Sequence, residues 1–136
     1  MILGIGIDLC RIPRIRRSVE RLGEAWIEEL FAIEERDRCA ASVDSDLAFA
    51  RGFACKEACA KALGTGFTSG VDPRDIALSE VDGVLTLRLD GGALARLQQM
   101  SPPTCGVRFL VTCKHVDDFM SCVVVFEATP SPNARL

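Results

Sequence analysis

Residues 51–66 read RGFACKEACAKALGTG, and this stretch decides how the rest of the chain must fold. Small apolar residues dominate it, and alanine is the residue that most favours an α-helix. Asp44 or Ser45 can cap the start of such a helix, and Gly64 can end it. The pattern therefore predicts a long, mostly buried helix with its body from Leu47 to Leu63, onto which the other elements must pack.

Three charged residues lie on this predicted helix. Glu57 and Lys61 are four residues apart, in the order that favours an ion pair on a helix surface, and Lys56 directly precedes Glu57. A solvated surface pair is one interpretation of this spacing. A carboxylate and an ammonium on a packed helix, however, need polar partners or a cleft. The pattern thus predicts either a surface pair or a charged site.

A further carboxylate, Asp8, lies near the end of an apolar segment, Ile2 to Leu9, that reads as a short buried strand. It either marks the end of the strand in solvent or is held rigidly as a metal ligand or base. Mg²⁺ prefers carboxylate oxygens together with substrate phosphates. Asp8, Glu57 and the nearby lysines would suit a phosphate–Mg²⁺ site. A dinucleotide loop is disfavoured, because Leu9 stands where the third glycine would be required.

The remaining pattern predicts the element order β-α-α-α-β-β-α-β-β. Helices are expected from Pro13 to Leu22, from about Glu24 to Cys39, and from Ala93 to Met100. Asp82-Gly83 favours a tight hairpin turn. The other strands are expected at Ile76–Val81, Val84–Leu89, Val107–Cys113 and Phe119–Phe126. Grouped helices and adjacent strand pairs favour an α+β fold. We expect one domain over residues 1–128 and a flexible tail over residues 129–136.

The first predicted helix carries a stripe of arginines, Arg14, Arg17 and Arg21, on one face. The segment from Arg11 to Arg21 holds five arginines and one glutamate, whereas the whole chain has a net charge of −3. The stripe is either a solvated polar face or a docking surface for an acidic partner. Nucleic acid is less favoured as that partner, because the protein is acidic overall and the stripe has no interleaved aromatic residues.

The chain has seven cysteines and one histidine, His115. An odd number of cysteines cannot be fully paired within one chain, and no two of them have the C-x-x-C spacing typical of zinc sites. Buried, reduced thiols that pack as small hydrophobic groups are the simplest interpretation. The N-terminal residues make a poor signal peptide, and the sequence has no stretch expected to span a membrane. Together with the reduced thiols, these features predict a cytoplasmic protein.

Together these residues resemble one family, the holo-[acyl-carrier-protein] synthases, which are small 4′-phosphopantetheinyl transferases. Residues 51–66 resemble the family signature R-x-F-A-x-K-E-A-x-x-K-A-L-G-x-G. Ile5-Gly6-Ile7-Asp8 before a basic helix, and Phe31 with Glu35, resemble two further family motifs. The resemblance covers about residues 1–128. It implies a phosphopantetheinyl transferase fold, with an antiparallel-rich sheet and a long signature helix.

The resemblance also implies the reaction. Phosphopantetheine would pass from coenzyme A to a serine of an apo acyl carrier protein, releasing 3′,5′-ADP, in fatty acid or polyketide biosynthesis. Asp8 and Glu57 would hold Mg²⁺, and Lys61 would stabilise or protonate the leaving phosphate. The base that removes the serine proton would be Glu57, Asp8 or a water on the metal. Residues implied to contact coenzyme A are Arg51, Lys56, Gly64, Gly66 and His115; those implied to meet the acidic carrier are Arg14, Arg17 and Arg21.

Members of this family are commonly homotrimers with sites between subunits, which implies that His115 completes a neighbour's coenzyme A pocket. Two stretches depart from the family pattern. Gly83-Val84-Leu85 replaces the usual Gly-x-Pro, and Lys114 stands where a small hydroxyl residue precedes the histidine. The alternative to an enzyme is a non-catalytic module that docks acidic proteins through the arginine stripe. Such a module would have no need of Asp8, Glu57 and Lys61.

Overall fold

The structure is a computed structural model that describes residues 1–131 of the 136 in the chain. Its elements follow in chain order: β1 (Ile2–Arg11), α1 (Ile12–Leu22), α2 (Glu24–Leu30), α3 (Ile33–Ala40), α4 (Ser45–Ala62), a 3-10 turn (Pro73–Asp75), β2 (Ile76–Val81), β3 (Val84–Leu89), α5 (Gly91–Met100), β4 (Cys105–Val116) and β5 (Phe119–Pro130). The helices α1 to α4 follow one another and all strand pairs are antiparallel, so the fold is α+β, as predicted.

The signature helix α4 is the centre of the core. Asp44 caps it, with a side-chain oxygen accepting a hydrogen bond from the Leu47 backbone N–H at 3.0 Å. Most residues from Phe49 to Ala62 are buried, which agrees with the small apolar residues of this stretch. The chain leaves the helix through Gly64, whose φ of +74° is a conformation that glycine adopts without strain.

A three-stranded antiparallel sheet in the order β1-β5-β4 packs against α4. Gly6 allows α4 to approach β1 closely, because a Cβ atom on residue 6 would lie 1.7 Å from the Ala58 carbonyl oxygen. A Cβ atom on Gly4 would lie 2.2 Å from the Ala62 carbonyl oxygen. Both glycines are therefore contact points between strand and helix, and the structure gives them no phosphate-loop geometry.

A second, two-stranded sheet pairs β2 with β3. Asp82 and Gly83 join the strands with φ angles of +51° and +77°, and Val81 pairs with Val84 across the turn. Two positive φ angles are typical of the tight hairpin turn that the Asp-Gly sequence predicted.

The prediction of one helix from Glu24 to Cys39 was wrong, since the chain forms α2 and α3 with a break between them. Phe31 adopts an extended backbone and is fully buried, which turns the chain so that its ring enters the core. The new helix is capped locally, because a Glu35 carboxylate oxygen accepts a hydrogen bond from the Ala32 backbone N–H at 3.2 Å. Ile33, the first residue of α3, is 66% exposed.

The ends of the sheet strands also extend beyond the prediction. Thr129 and Pro130 pair with Gly106 and Cys105, so β5 continues past the expected domain end at residue 128. Residues 132–136 of the expected tail lie outside the described residues. Among the helices within residues 1–131, none is both long enough and apolar enough to span a membrane.

Candidate active site

Asp8 and Lys61 meet where β1 crosses the C-terminal half of α4. The Lys61 ammonium donates hydrogen bonds to Asp8 Oδ1 and to the Ile7 carbonyl oxygen, both at 3.0 Å. The Asp8 side chain is 13% exposed, whereas that of Lys61 is 51% exposed. The carboxylate is therefore held by the strand, and the ammonium group reaches it from the solvent side.

Glu57 lies one helical turn before Lys61 and is half-buried. Burial raises the pKa of the Glu57 carboxyl, and the negative charge of Asp8 raises it further, while Lys61 and Arg14 act in the opposite direction. The charge on Asp8 thus disfavours ionisation of Glu57, a repulsion that a cation relieves and that Lys61 already offsets in part. An all-oxygen pair of carboxylates fits the ligand preference of Mg²⁺. The structure places Asp8, Glu57 and Lys61 near one another.

Arg14 is close enough to affect the charge of Glu57, a proximity that the sequence did not reveal. It lies there because α1 begins directly after β1. The same arginine lines an open groove of about 300 Å³ along α1, together with Arg17, Ser18, Arg21 and Leu22. Within residues 1–131 the three arginines form no ion pair, whereas Arg16 pairs with Asp46 at 2.8 Å. The predicted docking stripe is therefore an open basic surface beside the carboxylates.

Arg51 and His115, two of the predicted coenzyme-binding residues, face one cavity of about 370 Å³ between α4 and β4. The His115 ring nitrogen Nε2 lies 2.7 Å from the Asp117 carbonyl oxygen, in the turn between β4 and β5. The Arg51 guanidinium lies 3.6 Å from the Glu80 carboxylate. Within one chain, the Arg51 and His115 side chains therefore border the same cavity.

Lys56 does not lie where the sequence analysis expected it. The prediction that it contacts coenzyme A is not supported, because the side chain is 1% exposed and its ammonium group lies 2.5 Å from Glu35 Oε1. Its other hydrogen bonds go to the carbonyl oxygens of Pro73, at 3.1 Å, and Ile76. All three ammonium protons have protein acceptors, and none remains for a phosphate. Lys56 instead ties α4 to α3 and to the start of β2.

Gly64 and Gly66 form the exit from α4, one turn beyond Lys61. The Gly66 backbone N–H donates to the Ala60 carbonyl oxygen at 3.2 Å, and the Arg96 guanidinium donates to the Leu63 carbonyl oxygen at 3.0 Å. Gly64 lies ~20 Å along the helix axis from Arg51, at ~1.5 Å per residue. Within one chain, the two glycines are therefore near the Asp8 cluster and far from the Arg51–His115 cavity.

The family model of the 4′-phosphopantetheinyl transferase superfamily matches residues 4–104 of this chain. The chain belongs to this superfamily. A holo-[acyl-carrier-protein] synthase of Methylorubrum populi is 44% identical over 135 residues, which cover 98% of this chain and 99% of that protein. This membership confirms the resemblance seen in the sequence.

Solved structures of superfamily members have the same fold. The holo-[acyl-carrier-protein] synthase of Neisseria meningitidis superposes with a TM-score of 0.81 at 28% identity, covering 93% of this chain and 99% of that one. The Helicobacter pylori synthase, solved in complex with coenzyme A, gives a TM-score of 0.74 at 26% identity, covering 90% and 99%. The transferase-like α+β fold predicted from the sequence is thereby confirmed.

Proposed function

We propose that this chain transfers 4′-phosphopantetheine from coenzyme A to a serine hydroxyl of an apo acyl carrier protein. The observation that carries the proposal is the cluster of Asp8, Glu57 and Lys61 directly beside an open groove of arginines. In the reaction the serine oxygen attacks the pyrophosphate phosphorus that bears pantetheine. A bond to that phosphorus forms, the bond to the bridging oxygen breaks, and 3′,5′-ADP leaves.

Asp8 and Glu57 would hold Mg²⁺ through their carboxylate oxygens. Mg²⁺, when bound, neutralises charge that develops on the pyrophosphate oxygens, which is the main requirement of phosphoryl transfer. Lys61 is half-exposed beside Asp8, and its ammonium group would supply a positive charge or a proton to the leaving phosphate. The serine proton has two carboxylates within the same cluster to accept it, Asp8 and Glu57.

The groove of Arg14, Arg17 and Arg21 would receive the carrier protein. Unpaired, exposed guanidinium groups attract an acidic helix over a distance and fix its orientation, which raises the association rate more than the final affinity. Because Arg14 also influences the pKa of Glu57, a carrier bound along α1 would have its serine close to the carboxylates. The groove would therefore position the carrier protein against the two carboxylates.

Arg51 and His115 would bind the phosphates and the nucleotide part of coenzyme A, and Gly64 and Gly66 would allow the coenzyme to pass close to the backbone after α4. Because Arg51 lies ~20 Å along the axis of α4 from Gly64, at ~1.5 Å per residue, we propose that each site is completed by a second copy in a homotrimer. Ile5, Ile7 and Leu9 support an assembly, since they form a row on the outer face of β1 and are 58%, 59% and 63% exposed.

We propose that the reaction serves fatty acid biosynthesis in the cytoplasm, with polyketide carriers as further substrates. All seven cysteines are free thiols in the structure. Free thiols, two of them directly opposite each other on β4 and β5, are typical of a reducing compartment.

The test is a transfer assay read by intact-protein mass spectrometry. Wild-type protein, coenzyme A, Mg²⁺ and an apo carrier should add one phosphopantetheine group to each carrier. Asp8→Asn should reduce the rate by ~100- to 1000-fold, as does the loss of a preorganised electrostatic group elsewhere. Asp37→Asn, an exposed carboxylate on α3, is the matched control and should act like the wild type. A carrier that binds but gains no mass would contradict the enzyme and favour the non-catalytic docking module.

A further inference from the structure

Three cysteines that are far apart in sequence meet at one point in the core. Cys55 lies on α4, Cys113 on β4 and Cys122 on β5. The sulfur of Cys55 is 2.9 Å from that of Cys122 and 3.2 Å from that of Cys113, and Cys113 and Cys122 are also 3.2 Å apart. Cys113 and Cys122 are direct partners in the antiparallel register. Three sulfur atoms therefore form a small, nearly equilateral triangle.

The other cysteines show that this arrangement is more than the packing of small thiols. Cys59 is fully buried one turn after Cys55, but it takes no part in the cluster. The Cys10 thiol lies 3.7 Å from the Ala50 carbonyl oxygen instead of another sulfur. Only the sulfurs of Cys55, Cys113 and Cys122 converge with the spacing of a ligand set, among residues 1–131.

The cluster is sheltered but has an entrance. Cys55 and Cys122 are fully buried, whereas Cys113 is half-buried and lines the same cavity as Arg51 and His115. Cys113 is the member of the triangle that borders this cavity, so an ion that enters from the cavity reaches Cys113 before the two buried cysteines. Because Cys113 borders open space, its side chain has room to move outward when an ion binds.

The ligand chemistry selects the ion. Sulfur-only donors favour thiophilic ions such as Cu⁺ and Zn²⁺ over Mg²⁺ or Mn²⁺. Within the described chain no histidine or carboxylate joins the group, and structural zinc sites are almost always four-coordinate. With metal–sulfur bonds of ~2.3 Å, a planar three-coordinate ion needs sulfur atoms ~4.0 Å apart, so the triangle must widen by roughly 1 Å on binding. Three-coordinate ligation by sulfur alone suits Cu⁺ best.

We propose that Cys55, Cys113 and Cys122 form a binding site for one Cu⁺ ion per chain. The thiols that ligate as thiolates release their protons to solvent, and copper keeps its oxidation state. The site uses sulfur donors and is separate from the carboxylates of Asp8 and Glu57, so an excess of Mg²⁺ does not displace the ion. Binding of Cu⁺ at this site does not depend on whether the chain transfers phosphopantetheine.

The test titrates reduced full-length protein with Cu⁺ under anaerobic conditions, in competition with bicinchoninic acid, whose copper complex is coloured. Wild-type protein should withhold one Cu⁺ per chain from the chelator, and X-ray absorption should show a sulfur-only shell. Cys113→Ala should weaken binding by at least ~100-fold, the upper range for disturbing a metal site. Since Cys113 is half-buried, this variant should keep the wild-type circular dichroism, whereas a Cys122 variant risks unfolding.

Cys105→Ala, a half-buried cysteine on the same strand as Cys113 but outside the triangle, is the matched control and should bind Cu⁺ like the wild type. Copper retention by Cys113→Ala equal to that of the wild type would overturn the proposal. So would a shell containing nitrogen or oxygen, or a disulfide among the three cysteines in protein kept reduced. Tighter binding of Zn²⁺ than of Cu⁺ would also overturn it, because three sulfurs plus water would then be the preferred set.

Discussion

The buried pair of Lys56 and Glu35 offers the sharpest test of how the core holds α4 in place. Burial lowers the pKa of the Lys56 ammonium, and the neighbouring Glu35 carboxylate opposes that shift. Lys56 donates to Glu35 at 2.5 Å, and Glu35 Oε2 accepts from the Leu78 backbone N–H at 3.2 Å. The perturbation is Lys56→Met, which keeps the length of the side chain and removes its charge.

The magnitude follows from what the substitution leaves behind. Glu35 is 3% exposed, so Lys56→Met leaves a buried carboxylate without its cation. It also leaves the Pro73 and Ile76 carbonyl oxygens without their donor. Breaking a buried ion pair from one side costs ~3–5 kcal/mol. Glu35→Gln should cost a similar amount, and the double variant should cost less than the sum by ~2 kcal/mol or more, because neither charge is then left alone.

The assay is urea unfolding followed by the fluorescence of Trp26, the single tryptophan, whose ring lies 5.9 Å from that of Phe31. Lys114→Met, an exposed lysine on β4, is the control and should change the free energy of unfolding by less than ~0.5 kcal/mol. A cost below ~1 kcal/mol for Lys56→Met, or additive costs in the double variant, would refute the reasoning. If Lys56 has only a structural role, Lys56→Met should leave the KM for coenzyme A unchanged. If Lys56 contacts a phosphate of coenzyme A, the substitution should raise that KM by ~10-fold or more.

Three further predictions concern the site itself. The pKa of Glu57 is raised in the folded state, so ionisation of Glu57 lowers the free energy of unfolding as pH rises from ~4.5 through the raised pKa. At pH 7.5 the Glu57→Gln variant should therefore melt at the wild-type temperature or higher. The same variant should transfer phosphopantetheine ~100- to 1000-fold more slowly. A lower melting temperature would contradict this pKa shift. The double variant Arg17→Glu/Arg21→Glu should raise the KM for the carrier far more than the KM for coenzyme A. Added salt should reduce the difference in carrier KM between this variant and the wild type. Equal effects on both KM values would argue against the groove as the docking surface. If each site spans two subunits, mixing inactive Glu57→Gln and His115→Ala chains should restore part of the activity by subunit exchange, measured by the transfer assay; two variants that remain inactive after mixed refolding would place the whole site within one chain.

The sequence predicted the elements whose signals are local. The alanine-rich run and its caps predicted α4, and Asp82-Gly83 predicted the hairpin turn. Asp8 stood out because a carboxylate near the end of an apolar strand must be either solvated or held by a partner. In each case the decisive information lies within a few residues, where helix propensity, capping and turn geometry act.

The features that the sequence missed all depend on contacts between distant residues. Lys56 looked like a phosphate ligand because its partner Glu35 belongs to another helix, and no spacing within α4 reveals that pair. The break between α2 and α3 at Phe31 arises because burial of the ring outweighs helix continuity. The sulfur triangle joins α4, β4 and β5, so the absence of a C-x-x-C spacing said nothing about it.

The most direct test of the central claim is whether Asp8 and Glu57 jointly hold a divalent ion together with coenzyme A. Mn²⁺ can replace Mg²⁺ as the probe, since the electron paramagnetic resonance signal of free Mn²⁺ disappears on binding. In the presence of coenzyme A, wild-type protein should remove free Mn²⁺ beyond a protein-free control, and added Mg²⁺ should release it. Glu57→Gln should weaken this binding by ~10- to 100-fold. Binding of Mn²⁺ by Glu57→Gln that equals the wild type would contradict the account.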